Sequence, residues 1–335
     1  MSKPKVGFYW CASCGGCEEA IVDLHEAVLK VVELVDIVFW PCAMDFKRSD
    51  VEAMADGELA VCFVNGAIRS SEQEEMAELM RRKSQLLVAF GSCSHLGGIP
   101  GLANLYDWDM VMAQSYKEAP SVDNPEGTYP QPETPYNGHT LTLPVLSNTV
   151  RTLDQTVPVD YYLPGCPPPA NLIVNAVMAI LEGKLPAKGA ILAPDVALCD
   201  ECERKATKPD KIAIKEWKRP HLAIADPQLC LLAQGFLCLG PISRSGCGAP
   251  CVKGNMPCSG CMGPTDGVRD YGGKALSAFA SLIDSDDEAE IEKVLDGIVD
   301  PVGTFYRYSL PASFLHRRVM PGPTREPVAA GTDGK

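Results

Sequence analysis

Cysteine is the residue type in this chain that could do chemistry, and 15 of the 335 residues are cysteine. A first set is Cys14, Cys17, Cys93 and Cys166, each just downstream of a strand-like run: KVGFYW, LLVAF or YYLPG. In a doubly wound parallel sheet, loops at the carboxyl ends of the strands line one edge, so these loops can converge. Four thiolates at such an edge suit a [4Fe–4S] cluster. Gly15, Gly16, Gly91 and Gly165 beside them allow close backbone approach. The stretch WCASCGGCEEA offers two overlapping pairs, Cys11/Cys14 and Cys14/Cys17, and spacing does not choose between them.

Eight more cysteines follow within 63 residues: Cys199, Cys202, Cys230, Cys238, Cys247, Cys251, Cys258 and Cys261. They divide naturally into two groups of four. Four-cysteine zinc sites also use C-x2-C pairs. The gaps between Cys230, Cys238 and Cys247, however, do not form the second knuckle of a zinc ribbon. Three cysteine sets suggest a wire for electrons, a role closed to zinc because it has no redox chemistry. Cys42 and Cys62 lie in or just after strand-like runs and read as core residues. His95 reads as a loop histidine with a local partner, and Glu18 and Glu19 as helix-starting acids that favour the dipole. The chain has neither G-x-x-x-x-G-K-[ST] nor a G-x-G-x-x-G after its first strand, so no nucleotide or flavin site is indicated.

The elements that must position these thiols alternate. Strands are expected at Lys5–Trp10, Val35–Trp40, Leu59–Val64, Leu86–Phe90 and Asp160–Leu163. Helices are expected at Cys17–Leu34, at Ser71–Lys83 with Ser71 as cap, and at Asn171–Glu182. Such alternation implies an α/β fold, a parallel sheet with helices on both faces. The Pro/Gly/Asn-rich stretch from Gly101 to Tyr136 reads as inserted loops. From Cys199 to Pro264 periodicity is poor, so the segment is expected to bury little apolar surface and to need inorganic staples. Asp284–Asp296 reads as an acidic helix, and the tail from Pro321 as disordered. A net charge of −13 argues against nucleic acid and anionic membrane as partners. LIVNAVMAIL is too short to span a bilayer. The opening MSKPKVGFYW carries no export signal, and a cytoplasmic location with reduced thiols is expected.

Taken together, these motifs resemble the small subunit of [NiFe]-hydrogenases over nearly the whole chain. The family's C-x-G-C-x-E opening corresponds to Cys14 through Glu19, which selects the Cys14/Cys17 pair. Cys93 in GSCSHLGGIPG and Cys166 in PGCPPP correspond to the remaining proximal ligands. The distal set corresponds to Cys199, Cys202, Cys230 and Cys238, with Cys199 where the family has histidine. The medial set corresponds to Cys247, Cys258 and Cys261 in PCSGCMGP, and Cys251 offers a fourth thiolate where many exported relatives carry proline.

The resemblance thus implies three [4Fe–4S] clusters and a nickel–iron centre on a partner large subunit. This chain itself has no pair of nickel-binding C-x2-C motifs near its two ends. GTFYRYSLP and CLLAQGFLCLGP look most like the cytoplasmic group 3, methyl-viologen-reducing type linked to heterodisulfide reductase. The implied partners are the large subunit and a further iron–sulfur or flavin redox subunit. The implied fold is a flavodoxin-like domain over residues 1–185, a smaller irregular cysteine-rich iron–sulfur domain over 186–283, and an acidic helix and tail over 284–335. A stand-alone ferredoxin-like carrier is the alternative.

Overall fold

The computed structural model describes residues 3–317. The expectation of disorder from Pro321 lies outside the described residues. The chain opens with β1 (Lys5–Trp10), α1 (Gly16–Val22), α2 (Glu26–Leu34), β2 (Asp36–Phe39), α3 (Arg48–Glu52) and β3 (Leu59–Asn65). Then come β4 (Ile68–Ser70), α4 (Ser71–Lys83), β5 (Ser84–Phe90) and α5 (Ser92–Leu96). The stretch read as loops holds α6 (Trp108–Ala113) and β6 (Glu133–Tyr136), which forms an exposed hairpin with β7 (His139–Thr142) just beyond it. β8 (Leu146–Arg151), β9 (Tyr161–Leu163) and α7 (Ala170–Leu181) complete this part.

Five parallel strands form one sheet in the order β2-β1-β3-β5-β9. This is the flavodoxin-like winding, and its carboxyl edge is where such folds place their sites. β3 (LAVCFVN) is apolar almost throughout because a central parallel strand is covered on both faces. Val61 and Phe63 pack towards α1 and α7 with Phe8, Ile21 and Ile173. Cys62 and Val64 point the other way, among Met76, Met80 and Leu87. A two-strand antiparallel pair, β4 with β8, flanks the sheet.

Three local expectations change. The single helix from Cys17 to Leu34 is broken at His25, whose φ of 52° lies in the left-handed region, although no proline or glycine marks the break. The cap of α4 is Ser70, one residue early: Ser70 Oγ accepts from Gln73 N at 3.3 Å while Gln73 Oε1 accepts from Ser70 N at 3.1 Å. The cysteine-rich segment does have an apolar core, in which Leu198, Trp217, Phe236 and Leu239 meet Phe279 and Phe305. That core draws on α9 (Tyr271–Ala280) and α11 (Pro301–Phe305), so it is invisible in the segment's own periodicity. Of the remaining helices, α8 (Pro250–Lys253) lies inside the segment and α10 (Glu288–Leu295) is the acidic helix.

Candidate metal centre

The first cysteine set sits at the carboxyl edge of the sheet. Cys14 and Cys17 follow β1, Cys93 opens α5 after β5, and Cys166 follows β9. The ends of β5 and β9 are stitched by Gly91 N to Leu163 O at 2.8 Å and Ser92 N to Gly165 O at 2.7 Å. Gly91, at φ 87°, is required there: a Cβ would stand 2.4 Å from Cys17 Sγ. Gly98, at φ 56°, likewise lies against Cys93 Sγ, 2.4 Å from where its Cβ would be.

The four thiols feel one another. Burial, then Cys93, Cys166 and Cys14, push the Cys17 thiol up. Burial, then Cys166 and Cys14, push Cys93 up to about 12. Burial and Cys14 raise Cys166. Buried thiols packed in this way resist ionisation on their own. Bound cationic iron would reverse that balance, since a coordinating thiol is deprotonated outright. The donor set therefore fits a thiolate-held cluster.

Two further sets follow in line. Cys247, Cys251, Cys258 and Cys261 line a cavity of about 380 Å³ that Cys166 and Pro167–Pro169 close on the sheet side. Burial foremost raises Cys247 and Cys261 to about 11, and Cys261 and Cys251 add to the rise at Cys247. Cys199, Cys202, Cys230 and Cys238 line a smaller cavity of about 30 Å³. A Cβ on Gly240 would stand 3.5 Å from Cys199 Sγ and 3.6 Å from Cys238 Sγ. Cys199 is held at about 11 by burial, with Lys208 pulling down and Cys238, Cys202 and Cys230 pushing up.

The sets touch at both joints. Cys166 and Cys261 line the same cavity, close enough that Cys166 acts on the Cys261 thiol, which burial foremost raises. Cys258 N donates to Cys238 Sγ at 3.3 Å. Ser243, bonded to Tyr271 Oη at 2.7 Å, lies 3.7 Å from Cys258 Sγ. Arg244 is buried beside the middle set, with Nε donating to Pro264 O at 3.0 Å and Nη1 to Pro194 O at 3.2 Å. Among the described residues, no group of three or more His, Cys, Asp or Glu is placed to hold a single metal ion.

The remaining candidates fall elsewhere. Cys11 is buried on the opposite face of the sheet, where burial and then Cys62 and Glu72 raise its thiol. Cys62 is a core residue, whereas Cys42 is exposed in the turn after β2 and not in the core. His95 is in α5 and not in a loop. Its ring tilts against Tyr162 at 4.7 Å, its Nδ1 has no hydrogen-bond partner among the described residues, and burial foremost lowers its pKa to about 4. Glu18 does not face solvent at the helix start. It is buried, accepting from Trp40 Nε1 and, at 2.5 Å, from Asn65 Nδ2, and burial raises its pKa. Spacing could not reveal this pair of donors, since Trp40 and Asn65 stand at the ends of two other strands.

Known proteins share this pattern. The sequence pattern of the family described as NADH ubiquinone oxidoreductase, 20 Kd subunit, matches residues 14–180. The chain is 39% identical over 323 residues to the iron-sulfur subunit of the F420-non-reducing hydrogenase of Archaeoglobus profundus, covering 94% of this chain and 99% of that protein. It is 36% identical over 322 residues to the corresponding F420-non-reducing hydrogenase protein of Methanothermobacter thermautotrophicus, covering 95% and 98%. The solved [NiFeSe] hydrogenase of Desulfovibrio Vulgaris Hildenborough superposes with a TM-score of 0.50 at 16% identity, over 79% of this chain and 94% of that one. At that identity the likeness is one of fold.

Proposed function

Because this chain belongs to the small, iron–sulfur subunit family of [NiFe]-hydrogenases, in its F420-non-reducing branch, we propose that it carries electrons through three [4Fe–4S] clusters. The chain is part of a hydrogenase, an oxidoreductase acting on H2 whose nickel–iron catalytic site belongs to the partner large subunit. Cys14, Cys17, Cys93 and Cys166 would hold the proximal cluster, facing that subunit. Cys247, Cys251, Cys258 and Cys261 would hold the medial cluster, and Cys199, Cys202, Cys230 and Cys238 the distal one. The division into residues 1–185, 186–283 and 284–335, and a cytoplasmic location, belong to the same reading.

The observation that carries it is the continuity of thiols. They run from the sheet edge through Cys166 and Cys261 to Cys258 and Cys238. Bound clusters supply one-electron chemistry, with potentials set by charge and by hydrogen bonds to sulfur. The chain's own residues hold the thiolates in fixed places. Glu201 stands beside the medial set, accepting from Gly246 N at 3.0 Å and Gly248 N at 3.1 Å. From the distal set, electrons would pass to a further iron–sulfur or flavin subunit, with a heterodisulfide reductase complex the acceptor implied by the resemblance.

Anaerobic purification of the complex tests this. We expect about twelve irons and as many acid-labile sulfides per chain, nickel on a co-purifying large subunit, and H2-dependent dye reduction. Two zincs per chain, or a lone monomer without nickel, would overturn the proposal.

A further inference from the structure

The stretch between Cys202 and Cys230 runs against the charge of the rest of the chain. From Lys205 to Arg219 stand six cations and two carboxylates, in a protein of net charge −13. Lys205 pairs with Asp200 at 2.7 Å and Lys211 with Asp284 at 3.3 Å. Among the described residues no ion pair engages Lys208, Lys215, Lys218 or Arg219. Lys208 lines the same small cavity as Cys199, Cys202, Cys230 and Cys238. Lys208 thus stands at the distal set, and the bond of Lys218 N to Gly235 O, between Cys230 and Cys238, brings the exposed Lys215, Lys218 and Arg219 alongside it as a basic collar.

The collar is held firmly. Arg204, buried beneath it, donates to Val252 O at 2.8 Å and Asn255 Oδ1 at 3.1 Å. Trp217 packs edge-on against Phe279 at 5.8 Å, and Lys218 N bonds Gly235 O at 2.9 Å. The collar ends in an aliphatic tip, with Leu222 75% and Ile224 98% exposed. The tip is fixed by the next residue, the buried Ala225, whose carbonyl accepts from Asn255 Nδ2 at 3.0 Å. Folding gains nothing from fixing two aliphatic side chains in water, whereas a docking face needs an apolar centre and a charged rim.

We propose that this basic collar and its aliphatic tip are the docking surface for an acidic electron-transfer protein. That partner carries carboxylates around its own redox centre and an apolar seat for Ile224. The inference rests on the relay reading above. The rest of the chain, being strongly acidic, repels such a partner. The collar then attracts it only where the distal thiols lie, which raises the association rate and fixes the orientation.

The test uses the intact hydrogenase complex with two variants, Lys215→Glu/Lys218→Glu/Arg219→Glu and Ile224→Asp. The probes are a purified acidic two-iron ferredoxin and benzyl viologen, a small acceptor that needs no docking face. H2-dependent ferredoxin reduction by the wild type should fall steeply with added NaCl. The charge-reversed complex should be slower by about tenfold at low salt, with its salt dependence flattened. The Ile224→Asp complex should be slower with the salt dependence kept. In both variants viologen reduction should stay within about twofold of wild type and iron content should be unchanged. A wild-type ferredoxin rate indifferent to salt, or unchanged ferredoxin rates in both variants, overturns the docking surface while viologen reduction leaves the relay standing. A wild type that reduces neither acceptor overturns the relay itself, and the docking surface with it.

Discussion

Replacing Arg244 with methionine keeps an apolar stem of similar length and removes the guanidinium. Arg244 is 1% exposed, and it ties together three segments that surround the medial cysteines. Its guanidinium donates to Pro194 O and Pro264 O and pairs with Asp195 and Asp266, while its backbone N bonds Gly263 O at 2.8 Å. Leaving two such carbonyls without a charged donor costs on the order of 1–3 kcal/mol each. That cost is reduced because Pro194 and Pro264 belong to partly exposed segments, where water regains some access. The carboxylates are 53% and 59% exposed, so their ion pairs add no more than about 1 kcal/mol each. The balance is a loss of about 3 kcal/mol, or roughly two decades in a local opening equilibrium. Native-state hydrogen exchange of the intact complex reads this directly at the amides of Arg244 and Ser245, which bond Gly263 O and Val196 O. Arg244→Lys keeps the charge but not the fork, so it should recover part of the loss. Exchange in Arg244→Met within about threefold of wild type would refute the reasoning. So would an Arg244→Lys variant indistinguishable from the native protein, since the geometry of the fork would then be irrelevant.

Three further outcomes are expected. Cys17→Ser should abolish H2-dependent dye reduction and Cys11→Ser should leave it largely intact, because Cys11 packs with Cys62 on the other face of the sheet; equal damage from both would remove Cys14/Cys17 as the ligand pair. Cys251→Ala should create a stoichiometric three-iron signal in electron paramagnetic resonance of the anaerobic, oxidised complex, and the wild type should lack it. Asp160 accepts from Leu87 N at 2.8 Å and pairs with Arg81 at 2.5 Å and Lys188 at 2.7 Å. Burial pushes its pKa up, but Lys188, Arg81 and the Leu87 amide more than reverse that and hold it below the ordinary value. Its stabilisation is therefore present above the unfolded pKa near 3.9 and is lost as pH falls through the depressed folded value. Asp160→Asn should cost about 1–2 kcal/mol in opening at the Leu87 amide at neutral pH, with a gap that persists to about pH 5 and closes only in stronger acid.

The sheet was legible because β1, β3 and β5 are short apolar runs bounded by turn residues, and such runs have few alternatives. The thiol sets were legible in part because cysteine has few uses in quantity. What escaped depends on contacts distant in sequence. The break at His25 leaves no local mark, since the apolar spacing of Ile21, Leu24 and Val28 continues across it. The buried state of Glu18 is set by Trp40 and Asn65, both brought to it by the sheet. The core under the cysteine-rich segment needs Phe279 and Phe305 from later helices. The exposure of Cys42 turns on a tight bend after β2 that carries no glycine or proline of its own after Pro41.

The joint between the sheet and the later cysteines is built from several contacts, among them Asn171 Nδ2 donating to Gly246 O at 3.0 Å and Met262 packing with Leu172 and Ile173. It includes the approach of Cys166 to Cys261, and the hydroxyl of Ser92, which donates to the Cys261 carbonyl. The first four thiols fall within the stretch that the wider family shares, residues 14–180, and the other eight fall outside it. A lineage can therefore lengthen, shorten or re-tip the later part while the end next to the sheet stays as it is. If the three sets relay electrons as proposed, changes after α7 would alter how far from the sheet an electron is delivered and to which acceptor, and would leave the four thiols at the sheet edge in place.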